Sequence, residues 1–183
     1  MVPSALSALL VICYYLLTPW HSAWFMVTAQ VYAGAWWQPL TANLMHHDQA
    51  HLWFNVAGIW IAWLLFPAQL QRNQDWWVLL PVAIVSSLSQ LWFAPGHEIY
   101  AGFSGALYGL FAYAALQDAL AKQWIGAAIV LGILIKSLLD FSFPSLVEGI
   151  ALYAHSGGIV SGFVLALVVF RCSQAKNSVQ SAP

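Results

Sequence analysis

The sequence predicts an all-α membrane protein, built as a bundle of six transmembrane helices. Of its 183 residues 62% are hydrophobic and only 6% are charged, and the mean hydropathy is +0.76. A soluble domain of this size would need more polar surface to face water. A helix crosses a bilayer in about 20 residues, and apolar runs of about that length fall at 3–18, 50–67, 76–94, 103–120, 124–142 and 150–170.

The first run, 3–18, has the length of a signal peptide but lacks its flanking features. No basic segment precedes the run, and no clear small-x-small cleavage site follows it. We therefore expect it to be retained as the first span. The spans would form one domain over residues 1–171, followed by a short cytoplasmic tail over 172–183. Cys13 and Cys172 fall at different predicted depths and predict no disulfide framework.

Basic residues predict how the helices are oriented. Arg72 lies between spans two and three, Lys122 between spans four and five, and Arg171 and Lys176 follow span six. The loops that join the other spans contain no Lys or Arg. Because positively charged loops stay in the cytoplasm, both termini are predicted to be cytoplasmic. Lys136 falls inside span five and is not a topology signal.

The outer side of the membrane collects most acids and all histidines. The acids are Asp48, Glu98, Asp140 and Glu148, and the histidines are His21, His46, His47, His51, His97 and His155. A net charge of −1 without a basic run argues against nucleic-acid binding. Any chemistry is therefore expected at the outer helix ends, with the lipid bilayer and membrane proteins as partners.

The first outer loop, about residues 19–49, is rich in aromatic residues. They are Trp20, Trp24, Phe25, Tyr32, Trp36 and Trp37. Such rings favour the headgroup region, so the simpler interpretation is an interfacial belt. The alternative is a half-submerged element that braces a site and admits substrate from the lipid.

Polar residues at three helix ends indicate a site. His51 and Asn55 are four residues apart and share one face at the outer end of span two. Ser104, in GFSGALYGL, opens span four, and His155, in AHSGG, lies in the first turn of span six. Each of these residues alone could serve helix packing. An ionisable residue within a span nevertheless indicates function by default, because it is expensive to keep there.

Small residues suggest that spans four and six meet. Each span has one GxxxG face, formed by Gly105 with Gly109 and by Gly158 with Gly162. Such faces allow helix backbones to approach closely. If the two faces meet, Ser104 and His155 lie together at matching depth. Tyr108, one turn from Ser104, would then pack against the imidazole.

A serine beside a histidine is the arrangement for nucleophilic acyl transfer. The imidazole takes the hydroxyl proton during attack and returns it to the leaving amine. The Asn55 amide, His51 and the backbone N–H of Ser104 could stabilise the oxyanion. No acid in spans two, four or six lies near their outer ends, so a Ser–His dyad is expected, without a cofactor or metal.

These residues resemble the motifs of the rhomboid intramembrane serine proteases. His51 to Asn55 matches HxxxN, Gly102 to Gly105 matches GxSG, and His155 to Gly158 matches AHxxG; Tyr108 matches the stacking tyrosine and His46 a further histidine found in many members. The resemblance implies a rhomboid-like six-helix bundle. It also implies a dyad of Ser104 and His155 in a water-filled cavity open to the outer side. Such enzymes cleave membrane-anchored proteins near a helix end.

The compact chain is similar to the bacterial rhombosortase branch of that family. This likeness implies a bacterial inner-membrane enzyme whose substrates end in Gly-Gly, an apolar helix and a basic tail. The chain departs from many rhomboids in the first outer loop, where Trp36, Trp37 and Gln38 stand near the usual Trp-Arg pair. The anchoring of this loop is therefore left open.

Three alternatives remain. One is a general rhomboid protease with other substrates, and another is a catalytically silent rhomboid-like scaffold that binds helices. The third is a zinc protease, because His47-Asp48-Gln49-Ala50-His51 is a relaxed HExxH motif with Asp140 as a possible third ligand. That motif lacks the general-base Glu and leaves Ser104 and His155 unused.

Overall fold

The structure, a computed structural model, describes residues 1–94, 99–143 and 150–180, which are mostly helical. Its helices of 15 residues or more are α1 (Val2–Leu17), α2 (Gln49–Leu65), α3 (Leu79–Phe93), α4 (Ser104–Leu120), α5 (Trp124–Ser142) and α6 (Leu152–Gln180). Each lies on one predicted span, and α6 continues past the predicted end at residue 170. The outer positions predicted for His97, Glu98, Glu148 and the side chain of His21 lie outside the described residues.

Four segments of the described chain are long and apolar enough to cross a membrane. They are Val2–Trp20, Asn73–Phe93, Trp124–Ser142 and Leu152–Lys176, with mean hydropathies between 1.5 and 1.9. Helices α2 and α4 have 17 residues each, slightly fewer than the roughly 20 that span a bilayer unaided. These findings establish a multi-pass, largely helical protein, and the count of six crossings stays a prediction.

Short elements connect the long helices. The helical turns are Thr18–Trp20, His21–Trp24, Thr28–Tyr32, Gln38–Thr41, Ala42–Leu44, Pro67–Leu70 and Asn73–Val78. Two short strands, β1 (Met26–Val27) and β2 (Ile99–Tyr100), pair antiparallel, with Met26 opposite Tyr100. The pair ties the first outer loop to the segment that precedes α4. The sequence did not predict these strands.

Helix α4 lies at the centre of the bundle. It packs against α6, α3 and α5, while α1 packs against α2. Its buried face is rich in small residues, among them Ala106, Ala112 and Ala115. Between helices in lipid the hydrophobic driving force is weak, and small residues stabilise the contact by letting backbones approach. This composition explains why α4, rather than a bulkier helix, occupies the centre.

Gln38 anchors the first outer loop. Its side chain is 1% exposed. Its Oε1 accepts a hydrogen bond from the backbone N–H of Val27 at 3.0 Å, and its Nε2 donates to Oε1 of Gln30 at 2.6 Å. Because a buried amide must satisfy its own polar atoms, it fixes the strands and turns around it. The first outer loop is thus held by a buried amide.

The aromatic residues of the first outer loop divide into two groups. Trp20, Tyr32 and Trp36 are 60%, 69% and 79% exposed, as expected of rings in the headgroup region. Phe25 is buried with Met45 beneath the loop. The exposed rings agree with an interfacial belt, and the alternative, an element that braces a site and admits substrate from the lipid, stays a prediction.

Candidate active site

Ser104 and His155 are in hydrogen-bonding contact. Ser104 is the first residue of α4, and His155 lies in the first turn of α6. The distance from Ser104 Oγ to His155 Nε2 is 2.9 Å, within the range required between a nucleophile and its base. The two groups come from distant parts of the sequence, so the contact depends on how α4 and α6 pack.

Glycine backbones bring α4 and α6 together. A Cβ atom placed on Gly158 would lie 2.0 Å from the carbonyl oxygen of Gly105, and one on Gly162 would lie 2.2 Å from that of Gly109. No side chain fits between the helices at these levels. The two GxxxG faces therefore meet, and their contact holds Ser104 and His155 at the same depth.

Gln90 fixes the start of the helix that bears His155. The backbone N–H of Ala154 donates to Oε1 of Gln90 at 3.0 Å. The first N–H groups of a helix have no partner within it, so the Gln90 side chain satisfies one of them. Gln90 is buried and lines the cavity around the dyad. Gln90 was not predicted from the sequence, although a glutamine inside an apolar run is a usable signal.

Tyr108 packs against the imidazole of His155. The ring centroids lie 4.4 Å apart with an interplanar angle of 37°, which restricts rotation of the imidazole. The Nδ1 atom of His155 is buried and has no hydrogen-bond partner among the described residues. Among the described residues, no carboxylate therefore accepts a hydrogen bond from His155 to complete a triad.

His51 and Asn55 line the same cavity as Ser104. The Nδ2 atom of Asn55 donates to the backbone carbonyl of His51 at 3.0 Å, which leaves its second N–H for another acceptor. Asp48 caps α2 by accepting from the backbone N–H of His51 at 2.8 Å. These polar groups share the cavity with the start of α4, whose first N–H groups have no partner within the helix.

Gly102 supports His51 from the other side. Its φ is 140°, and a Cβ there would lie 2.5 Å from Cε1 of His51. Only glycine combines this backbone conformation with such close approach. The segment is held by two hydrogen bonds: Gly102 N–H donates to Ala42 O at 2.9 Å, and the Tyr100 hydroxyl donates to Gly102 O at 3.0 Å. Burial raises the pKa of Tyr100 to about 12, so this hydroxyl remains a donor.

The cavity around these residues has a volume of about 930 Å³. Its polar lining includes His47, Asp48, His51, Asn55, Gln90, Ser104, Tyr108 and His155, and its apolar lining includes Phe54, Leu107, Phe111 and Ile133. This volume is in the range of sites that hold several side chains of a ligand. A lining with both polar and apolar side chains suits an extended peptide segment, whose apolar side chains would contact the apolar lining while a carbonyl group faces Ser104.

His46 is a buried, neutral support for His51. Its side chain is fully buried, and neither ring nitrogen makes a hydrogen bond of ordinary geometry among the described residues. Its ring centroid lies 5.2 Å from that of His51. Burial, followed by the nearby charges of His51 and His47, lowers the pKa of His46 to about 3.

We expect His46 to make the fold sensitive to acid. The unfolded chain binds a proton at His46 below pH 6.5, whereas the folded protein does so only below about pH 3. Stability should therefore fall as the pH drops through this window, by at most about 1.4 kcal/mol per pH unit from this group. The melting temperature in detergent should decline less between pH 7 and pH 5 for His46→Leu than for the wild type. Equal slopes would contradict this assignment.

A zinc site is not formed by the described residues. Among them, no three His, Cys, Asp or Glu side chains lie close enough to hold a metal ion. Asp140, the third ligand that the zinc interpretation needs, is instead paired with Lys136.

Replacing Gly158 with Val should displace the dyad. The new Cβ would overlap the carbonyl oxygen of Gly105, which cannot move independently of α4. A misplacement of about 1 Å at a reacting centre can cost on the order of 10²-fold in rate. We expect a loss of this size in kcat/KM, together with a lower melting temperature.

Gly132→Val is the matched control for this change. Gly132 lies in α5, and a Cβ there would meet no atom within 4 Å. This variant should retain activity and stability. If Gly158→Val were as active as Gly132→Val, the backbone contact would not determine the geometry of the dyad.

Comparison with known proteins finds similar sequences in one family. Residues 33–172 match the model of the Rhomboid domain. The chain is 31% identical over 136 residues to the rhomboid protease GluP of Bacillus subtilis (strain 168), covering 73% of this chain and 26% of that protein. It is 26% identical over 147 residues to YdcA of the same strain, provisionally named a rhomboid protease. That match covers 79% of this chain and 71% of YdcA. The chain thus spans about a quarter of the first relative's length and over two thirds of the second's.

Proposed function

The chain belongs to the rhomboid family, and from this premise we propose that it is an intramembrane serine endopeptidase with Ser104 and His155 as its catalytic dyad. The observation that carries the proposal is the 2.9 Å contact between Ser104 Oγ and His155 Nε2. The contact lies in a large cavity within an otherwise apolar helical protein. The two similar proteins are named as rhomboid proteases, which agrees with this assignment.

The proposed reaction uses the dyad in two steps. Ser104 Oγ attacks the scissile carbonyl carbon while His155 Nε2 accepts the hydroxyl proton. The C–N bond then breaks, and His155 gives the proton to the leaving amine. Water hydrolyses the resulting acyl-serine, with His155 again as the base. Tyr108 holds the imidazole in the orientation that both steps require.

The oxyanion of each tetrahedral intermediate would face fixed donors. We assign these to the free N–H of the Asn55 amide, to His51 and to the backbone N–H of Ser104. Donors that are already held in place stabilise developing charge without reorganisation. Gly102 and His46 support this side of the site by holding the His51 ring between them.

The proposed substrates are proteins anchored by a transmembrane helix. The distribution of Arg72, Lys122, Arg171 and Lys176 favours cytoplasmic termini. The cavity would then open to the outer side of a bacterial inner membrane, and the cut bond would lie near the outer end of the substrate helix.

A narrower substrate class follows from the rhombosortase resemblance. It comprises proteins that end in Gly-Gly, an apolar helix and a basic tail. Glycines lower the cost of unwinding a helix into the extended segment that a serine can attack. A purified substrate with Gly-Gly should be cut faster than the same substrate with Leu-Leu. Equal rates would contradict the rhombosortase-like substrate class and would agree with a general rhomboid protease. Mass spectrometry of the new C-terminus separates hydrolysis from transfer to another amine.

A serine-reactive fluorophosphonate probe in detergent tests the proposed activity. The wild type should be labelled and should cleave a helical membrane substrate, whereas Ser104→Ala should do neither. Cleavage that is lost with EDTA would support the metal alternative. A folded wild type that binds substrate helices without labelling or cleavage would support the scaffold.

A further inference from the structure

Helix α5 contains an ion pair within an apolar segment. Lys136 and Asp140, four residues apart, form a salt bridge through Nζ and Oδ2. The side chains are 40% and 11% exposed. Keeping two charges in such a helix is expensive, and ionisable residues within spans usually mark a functional element. Neither residue is used by the dyad chemistry described above.

The ammonium group of Lys136 lies against Tyr108. Its Nζ is 5.1 Å from the centroid of the Tyr108 ring, a distance at which a cation is attracted to an aromatic face. Tyr108 in turn contacts the imidazole of His155 at 4.4 Å. A continuous line of contacts therefore runs from Asp140 through Lys136 and Tyr108 to His155.

These contacts connect α5, which is loosely packed, to α4 at the centre of the bundle. Only 17% of the apolar window of α5 is buried, and the helix packs chiefly on α4. Backbone contacts hold α4 and α6, and Tyr108 packs in a cluster that includes Ile133 of α5 and Ile159 of α6. The Lys136 contact adds a cation–ring restraint from α5 to this apolar packing.

Asp140 also determines the net charge beside the dyad. When His155 accepts the serine proton, the imidazole becomes positive. An unpaired ammonium nearby would oppose that change, and strongly so where the dielectric constant is low. The carboxylate of Asp140 neutralises Lys136 and removes most of this penalty.

We propose that Lys136 and Asp140 are positioning residues for the dyad: Lys136 acts on His155 through the ring of Tyr108, and Asp140 acts through Lys136. This inference rests on the proposed protease function. Lys136 holds the ring in place, and Asp140 orients the ammonium and balances its charge. Neither residue contacts the reacting atoms, so their removal should affect kcat rather than KM.

Lys136→Met tests the first role. Losing the cation from the ring should lower kcat roughly 10-fold and leave KM unchanged. Lys136→Arg keeps the charge and the pair, so it should recover most of the activity. Lys122→Met removes a lysine from the turn between α4 and α5 and should match the wild type. Wild-type kcat in Lys136→Met, or equal losses in the Met and Arg variants, would overturn the proposal.

Asp140→Asn tests the second role. It leaves an unpaired cation, so its kcat should fall below that of Lys136→Met. The double variant Lys136→Met/Asp140→Asn should return to the level of Lys136→Met alone. Additive losses in the double variant would show that Asp140 does not act through Lys136.

Tyr108 variants test whether the effect of Lys136 passes through the Tyr108 ring. This test can be made even if Lys136→Met fails to fold. Tyr108→Phe keeps the ring and should lose less kcat than Tyr108→Leu. In the Tyr108→Leu background, Lys136→Arg should cause no further loss. Asp140→Asn should still slow the reaction there, because the unpaired ammonium opposes the positive charge on His155 through space. Equal damage in the Phe and Leu variants, or a further loss from Lys136→Arg in the Leu background, would contradict the proposal. Failure of the wild type to cleave or label would instead refute the protease function.

Discussion

Ser104→Ala and His155→Ala should each abolish cleavage and leave the protein folded. Residues that act as one unit lose nearly all of their contribution when either is removed, so we expect a loss on the order of 10⁴-fold or more. The double variant should be scarcely worse than either single variant. The rate on a purified membrane substrate and the melting temperature in detergent are the two measurements.

Ser161→Ala is the matched control for the serine change. Ser161 lies in α6, and its hydroxyl donates to the backbone carbonyl of Gly158 at 2.9 Å. Because it faces its own helix, its loss should leave the rate unchanged. Substantial activity in folded Ser104→Ala or His155→Ala would refute the dyad.

Asn55→Ala should slow cleavage by about 10² to 10³-fold, the usual cost of losing one oxyanion donor. Some activity should remain, because His51 and the backbone N–H groups at the start of α4 are still present. The effect should fall on kcat, since the charge that Asn55 stabilises develops only in the transition state. The double change with His51→Ala should be worse than either single change.

The Asn55 result must be separated from a loss of structure in α2. Asn55 also donates to the carbonyl of His51, so its removal breaks one short-range hydrogen bond. The melting temperature measures this second effect independently. Cleavage by Asn55→Ala at the wild-type rate, under subsaturating substrate, would remove Asn55 and His51 from the oxyanion site.

The long helices were predictable because their signal is local. An apolar run near the length of a bilayer crossing identifies α5 without further information, and its bounds match the predicted 124–142. The first residues of α3 differ, since a 3₁₀ turn occupies Asn73–Val78 before the α-helix begins. Run length alone does not distinguish these two helix types.

The meeting of Ser104 with His155 was predictable for a different reason. Glycines spaced four apart define a face, and two such faces suggested which helices pack together. The sequence thus contained both the chemical groups and the means of bringing them close.

The polar supports of the site were not predictable in the same way. A sequence shows that Gln38, Gln90 and Lys136 need partners, but it does not show which. The partners that connect them to the site are the backbone of Val27, the backbone of Ala154 and the ring of Tyr108. Two of these three contacts join different helices, and the third joins parts of one loop. Each depends on tertiary packing that run length and spacing do not specify.

The contact between Gly158 and Gly105 has a consequence for how the protein can change over generations. Where two side chains touch, an enlarged one can be accommodated when its neighbour becomes smaller. At Gly158 the neighbour is a main-chain oxygen of another glycine, and nothing there can be reduced in size. A genetic screen for second-site suppressors of Gly158→Ala should therefore find no compensating substitution at Gly105 or Gly109. Lineages that lose this glycine therefore cannot restore the contact by making the facing residue smaller.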